Sequence, residues 1–79
     1  METEARVIEI VARVLDRKTA GITRESRFVE DLEADSLDQL ELVMDLEETF
    51  RLSLDPQQAS AIKTVGQAID AITALLPSA

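Results

Sequence analysis

Asp35-Ser36-Leu37-Asp38-Gln39-Leu40-Glu41-Leu42-Val43-Met44-Asp45-Leu46-Glu47-Glu48-Thr49-Phe50 carries more apolar surface than a single helix face can bury. Wound at ~100° per residue, it gathers Leu42, Val43, Leu46 and Phe50 in one broad sector, with polar Gln39 intruding. That sector suffices as a core face. Leu37, Leu40 and Met44 form a second stripe more than a quarter turn away, with Leu40 nearest the core side. Glu41, Glu47 and Glu48 surround this stripe, and Asp38 and Asp45 lie farther round. A bundle that wraps the helix on both sides is one use for it. The other is an exposed strip, since a buried face is rarely hemmed by carboxylates that burial would leave unpaired. Apolar residues for affinity with charges for orientation and on-rate describe a docking surface.

Outward from this segment the chain reads as helices joined by one long loop. Towards the N-terminus, roughly Glu2 to Arg17, Val7, Ile10, Val11 and Val14 share a face that Ile8 and Leu15 widen. Gly21 breaks the pattern, and Lys18 to Ala34 reads as a loop longer than most connections in small domains. Ile22, Phe28, Val29 and Leu32 are its apolar pins, expected to tuck under the helices. Towards the C-terminus, Asp55-Pro56 supplies an N-cap and a first-position proline for a short helix over Gln57 to Ala61. Thr64 with Gln67 three residues later is a capping-box pattern. It opens a last helix with Val65, Ala68, Ile69, Ile72 and Leu75 or Leu76 inward, stopping near Pro77. Alternating β-branched runs are missing, so a sheet has little support. The expectation is an all-α four-helix bundle, with three main helices, one short helix and a long first loop, in one domain over 1–79.

Composition narrows the chemistry. Seventy-nine residues, 46% of them hydrophobic, allow one modest core. The chain has no cysteine and no histidine, which removes disulfides, thiolate nucleophiles, imidazole bases and the usual zinc ligands. Sixteen acidic against eight basic residues give a net charge of −8. Nucleic acid is therefore excluded as a partner, because phosphate contacts need clustered Lys and Arg. Anionic membrane surfaces are disfavoured on the same ground, and no run reaches the ~18 apolar residues of a membrane span. The acidic start Met1-Glu2-Thr3-Glu4 does not read as a targeting peptide. Basic patches on other proteins remain as natural partners, approached at rates that fall with salt.

Ser36 opens the decisive helix. A serine there has a plain explanation as a helix cap. Hydrolase-type nucleophilicity is excluded, for there is no histidine base and no elbow motif around it. With Gly21 and Gly66 the only glycines, a glycine-rich phosphate cradle is missing too. The remaining chemical role is that of a substrate. A hydroxyl at a helix start suits a phosphodiester, because free N–H groups and the dipole favour an anion there. Asp35 can then serve as cap. Asp31, Glu33 and Asp35 alternate as in a calcium loop, but Ser36 and Leu42 stand where that loop needs Gly and Glu. No dedicated metal site is expected.

The run Phe28-Val29-Glu30-Asp31-Leu32-Glu33-Ala34-Asp35-Ser36-Leu37-Asp38, continued through Glu41-Leu42-Val43-Met44, Leu46-Glu47-Glu48 and Phe50, resembles free-standing bacterial acyl carrier proteins. Ile62, Thr64-Val65, Ala68-Ile69-Asp70 and Ile72 are similar to that family as well. The resemblance covers nearly the whole chain and is weakest over the first helix and the loop up to Ser26. It implies a covalent 4′-phosphopantetheine, donated by coenzyme A through a phosphopantetheinyl transferase and attached at Ser36 between Asp35 and Leu37. It implies a partner-binding face of Leu37, Asp38, Leu40, Glu41, Met44, Glu47 and Glu48, offered to basic patches of acyl-synthesising and acyl-transferring enzymes. It also implies an acyl-chain pocket near Val43, Leu46, Ile62 and Ile69.

The function so implied is carriage of thioester-bound acyl groups in fatty-acid or related lipid biosynthesis, by a cytoplasmic monomer with no catalysis of its own. Three features depart from the family pattern: Glu33 replaces a common glycine, Arg51 follows Phe50, and Pro56-Gln57-Gln58-Ala59-Ser60 with Lys63 is poor in acid. They leave open a specialised carrier for polyketide, lipid-modification or aminoacyl transfer. An unmodified helical adaptor that binds through the Leu37–Met44 stripe is the alternative outside the carrier class.

Overall fold

The computed structural model of the chain describes residues 2–76, and four α-helices follow in order: α1 (Glu2–Leu15), α2 (Ser36–Phe50), α3 (Pro56–Ala61) and α4 (Val65–Leu75). A short 3₁₀ turn, Thr19–Gly21, interrupts the long first connection. Periodicity places these helices because their apolar faces have one core to share. Val7, Ile10 and Val11 of α1, Leu42 and Leu46 of α2, and Val65, Ala68, Ile69 and Ile72 of α4 are all buried. The core thus forms where α1 packs against both α2 and α4. At the α4 end, Leu76 turns out of the helix in extended conformation and is half-buried, whereas Leu75 is exposed. Of the two candidates for the inward position, Leu76 holds it. The expected stop at Pro77 lies outside the described residues.

Each helix after the first starts with a reciprocal capping box. Asp35 accepts from the Asp38 N–H at 2.8 Å while Asp38 accepts from the Asp35 N–H at 3.2 Å. The same exchange joins Asp55 to Gln58 and Thr64 to Gln67. Two otherwise orphan donors are satisfied at each start, which fixes where each helix begins.

The long loop is ordered by its pins and by backbone pairing. Ile22, Phe28, Leu32 and Ala34 are buried under the helices. Val29 is not, with 53% of its surface exposed, contrary to its expected place among the pins. Residues 27–32 wind as one turn, closed by the Asp31 and Leu32 N–H groups on the Arg27 carbonyl. Phe28 and Leu32, four apart, share its inner face, and Val29 lies about 100° round from Phe28. An isolated antiparallel bridge of Arg27 with Thr64 then ties the loop to the start of α4. Beside it the Gly66 N–H donates to the Arg24 carbonyl at 2.8 Å, and a Cβ on Gly66 would sit 2.9 Å from that oxygen. Only glycine permits this approach.

Charged pairs pin the outside. Arg24 binds Asp70 at 2.8 Å and Glu4 at 3.5 Å, joining the loop to α4 and α1. Arg13 binds Asp45 at 3.1 Å, and the Arg6 guanidinium lies 5.4 Å from the centre of the Phe50 ring. Arg27 grips Asp31 through its side chain and its backbone N–H, and these bonds hold the Asp31 carboxyl below its ordinary pKa. A depressed carboxylate adds stability that is fully present above the unfolded value of ~3.9 and is lost as pH falls through the folded value. The pair is exposed, so its contribution is small and screened by salt. An NMR titration should place the Asp31 midpoint below ~3.9, and Asp31→Asn should remove that part of the acid limb of the stability curve. A midpoint at the ordinary value would contradict the clasp.

Candidate functional site

Ser36 is the first residue of α2, and its side chain is exposed. Capping is done by Asp35, so the Ser36 hydroxyl makes no hydrogen bond among the described residues. The Ser36 and Leu37 N–H groups are likewise without partners there, since the first bonds of the helix go to the Asp38 and Gln39 N–H groups. An open hydroxyl thus stands beside two free backbone donors at the positive end of a fifteen-residue helix. The residues present fit a phosphodiester-linked group, which would hang outward without displacing any packed side chain.

Just ahead of Ser36, Glu33 adopts a left-handed backbone with φ 58°. Its carboxylate lies 3.5 Å from Arg17, whose guanidinium also donates to the Leu32 carbonyl at 3.1 Å. A left-handed conformation costs a non-glycine residue roughly 1–2 kcal/mol, partly offset by the greater unfolded-state freedom of glycine. Glu33→Gly should therefore raise stability by up to about 1 kcal/mol in urea unfolding, despite losing an exposed ion pair. A loss of stability would show that the Arg17 contact outweighs the strain.

Along α2 the two apolar sectors separate as the spacing requires. Leu42 and Leu46 are buried, and Val43 and Phe50 are half-buried. Leu37, Leu40 and Met44 are 62%, 56% and 53% exposed, so the bundle does not wrap this side. Glu41 and Glu48 are exposed beside the strip and form no hydrogen bond or ion pair among the described residues. The other acidic residues are partly engaged within the chain. Asp38 belongs to the capping box, Asp45 to Arg13, and Glu47 accepts from the Leu54 N–H at 2.8 Å.

Between α2 and α3 lies a cavity of about 20 Å³, lined by Phe28, Gln39, Leu42, Val43, Leu46, Ala59 and Ile62. It has room for about one water. Val43, Leu46 and Ile62 meet there, whereas Ile69, read with them from the sequence, is buried in the core and does not line it. Phe28, Gln39, Leu42 and Ala59 were not assigned to the cavity, though Leu42 stood in the core sector of α2. Gln39 carried a signal, being the one polar residue in the core sector; Phe28 and Ala59 come from other segments, which helix periodicity cannot relate to α2. Among the described residues there is no cluster of acidic side chains placed to hold a metal ion, and no helix is long and apolar enough to cross a membrane.

Comparison with known proteins agrees with this geometry. Residues 5–72 match the family described as "Phosphopantetheine attachment site". Acyl carrier proteins from two strains of Porphyromonas gingivalis, ATCC 33277 and W83, are each 48% identical over 71 residues, covering 90% of this chain and 91% of theirs. A solved chain from Mycobacterium tuberculosis, described as an acyl carrier protein, superposes with a TM-score of 0.83 at 31% identity, over 91% of this chain and 96% of its own. An all-helical bundle with an uncapped serine hydroxyl at the head of its second helix is thereby placed among known relatives: the chain belongs to the phosphopantetheine attachment site family, as one of the acyl carrier proteins.

Proposed function

We propose that Ser36 is the residue that carries 4′-phosphopantetheine and that the chain, with no catalysis of its own, presents acyl thioesters to other enzymes. The observation that supports this best is the division of labour at the start of α2. Asp35 holds the cap, and the adjacent hydroxyl is left exposed beside free N–H donors. The bound group supplies a thiol for thioester chemistry, which a chain without cysteine otherwise lacks. Asp35 and Leu37 flank the attachment point. Leu37, Leu40 and Met44, rimmed by Glu41 and Glu48, form the face offered to basic patches of a phosphopantetheinyl transferase and of acyl-synthesising and acyl-transferring enzymes. The cavity bounded by Val43, Leu46 and Ile62 is the place for the acyl chain. The protein acts as a cytoplasmic monomer in fatty-acid or related lipid biosynthesis.

Apo-protein incubated with coenzyme A and a broad-range transferase should gain the mass of one phosphopantetheine, located on the peptide that contains Ser36. An intact fold with no mass gain, or a gain on another residue, sinks the reading. A specialised partner set is the second reading. It is favoured by the exposed, carboxylate-free surface of Gln57, Gln58 and Ser60 on α3, with exposed Lys63 beyond it.

A further inference from the structure

Glu47 was grouped by sequence with the carboxylates of the docking rim, but its atoms are used elsewhere. Its Oε2 accepts from the Leu54 N–H at 2.8 Å, and its backbone carbonyl accepts from the Arg51 and Leu52 N–H groups. One residue thus organises the whole turn between α2 and α3. Leu54 is buried and immediately precedes Asp55, the N-cap of α3. At the other end, the chain just past Ile62 is held by the Phe28 N–H on the Lys63 carbonyl and the Val65 N–H on the Ser26 carbonyl. Between these anchors α3 has six residues, and none of them is buried. Its position is set by its ends, because its own packing contributes little.

That position forms one wall of the cavity. Ala59 and Ile62, both half-buried, form the α3 side, opposite Leu42, Val43 and Leu46. With space for about one water, the cavity must widen to admit an acyl chain, and α3, with no buried residue of its own, is the wall least held by packing. We propose that Glu47 is a positioning residue: through the Leu54 N–H it holds α3 in place as one wall of the acyl cavity, and it does not serve as a free docking charge. This rests on Ser36 as the attachment point for the acyl-bearing group.

Charge and acceptor can be separated experimentally. Glu47→Gln keeps a side-chain oxygen that can accept from Leu54 and removes the charge, whereas Glu47→Ala removes both. The native sequence and both variants are loaded from octanoyl-coenzyme A with a broad-range transferase and checked by mass. Two rates are then read: hydrogen exchange of the Leu54 amide and hydroxylamine cleavage of the thioester. Loss of a charge-assisted hydrogen bond should speed Leu54 exchange about tenfold in Glu47→Ala and cleave its thioester severalfold faster. Glu47→Gln should stay close to the native sequence in both. The proposal is overturned if Glu47→Ala leaves either rate unchanged, or if Glu47→Gln behaves like Glu47→Ala. Absence of any mass gain would instead defeat the Ser36 assignment. The Leu54 exchange comparison needs no loaded group and would still decide whether the clamp exists.

Discussion

Ser36→Ala is expected to abolish loading from coenzyme A while shifting the unfolding free energy by no more than about 0.5 kcal/mol. The first outcome follows from chemistry, because alanine has no oxygen to bond to the phosphorus. The second follows from the cap. Asp35 already accepts from the Asp38 N–H at 2.8 Å and donates its own N–H to the Asp38 carboxylate, so the start of α2 does not depend on the serine. Asp35→Ala should show the opposite balance, losing about 1 kcal/mol of stability as the Asp38 N–H loses its partner. Urea unfolding of both variants beside intact-mass analysis tests the division. Should Ser36→Ala unfold as readily as Asp35→Ala, the hydroxyl is structural after all, and its availability as an anchor falls with that result.

Leu46→Ala should carry the largest stability cost of any single truncation in α2. Leu46 is among the largest fully buried side chains, and it also lines the cavity with Val43 and Ile62. Removing a buried leucine to alanine costs about 2–5 kcal/mol through lost transfer energy and the void left behind. A domain of this size holds roughly 4–12 kcal/mol in all, so the variant should melt at least about 10 °C lower. Because Leu46 lines the cavity, the void would open into it, which gives the change a functional reading if the cavity takes the acyl chain as proposed. An octanoyl chain should recover more of the lost stability in Leu46→Ala than it adds to the native sequence, because it fills space that is otherwise empty. Comparing melting of loaded and unloaded forms of both proteins reads this out. Equal stabilisation of the two would mean that the chain does not reach Leu46.

The exposed strip on α2 was legible because its cause is local. Leu37, Leu40 and Met44 share a stripe by helix geometry, and the carboxylates beside them made burial expensive. The caps at Asp35, Asp55 and Thr64 were equally plain, since each is a bond between residues three apart. The reciprocal role of Asp38 was harder to see, because aspartate stands there in place of the usual glutamate or glutamine. Val29 was misplaced for a related reason. Its loop curls into a helix-like turn through two hydrogen bonds to the Arg27 carbonyl, and hydrophobicity alone does not reveal which of its three apolar residues such a turn faces outward.

Periodicity, capping chemistry and the absence of cysteine and histidine determined, from the chain alone, a helical fold with a serine at the head of its second helix and a spare apolar stripe. All of these depend on residues within a turn or two of one another. Folding in three dimensions decided the rest: that Glu47 spends its carboxylate on Leu54, that Ile69 belongs to the core and not the cavity, and that Phe28 and Ala59 close the pocket across from α2. Those facts depend on distances between segments, and a hydrogen bond or a cavity wall shared by distant residues leaves no spacing in the sequence.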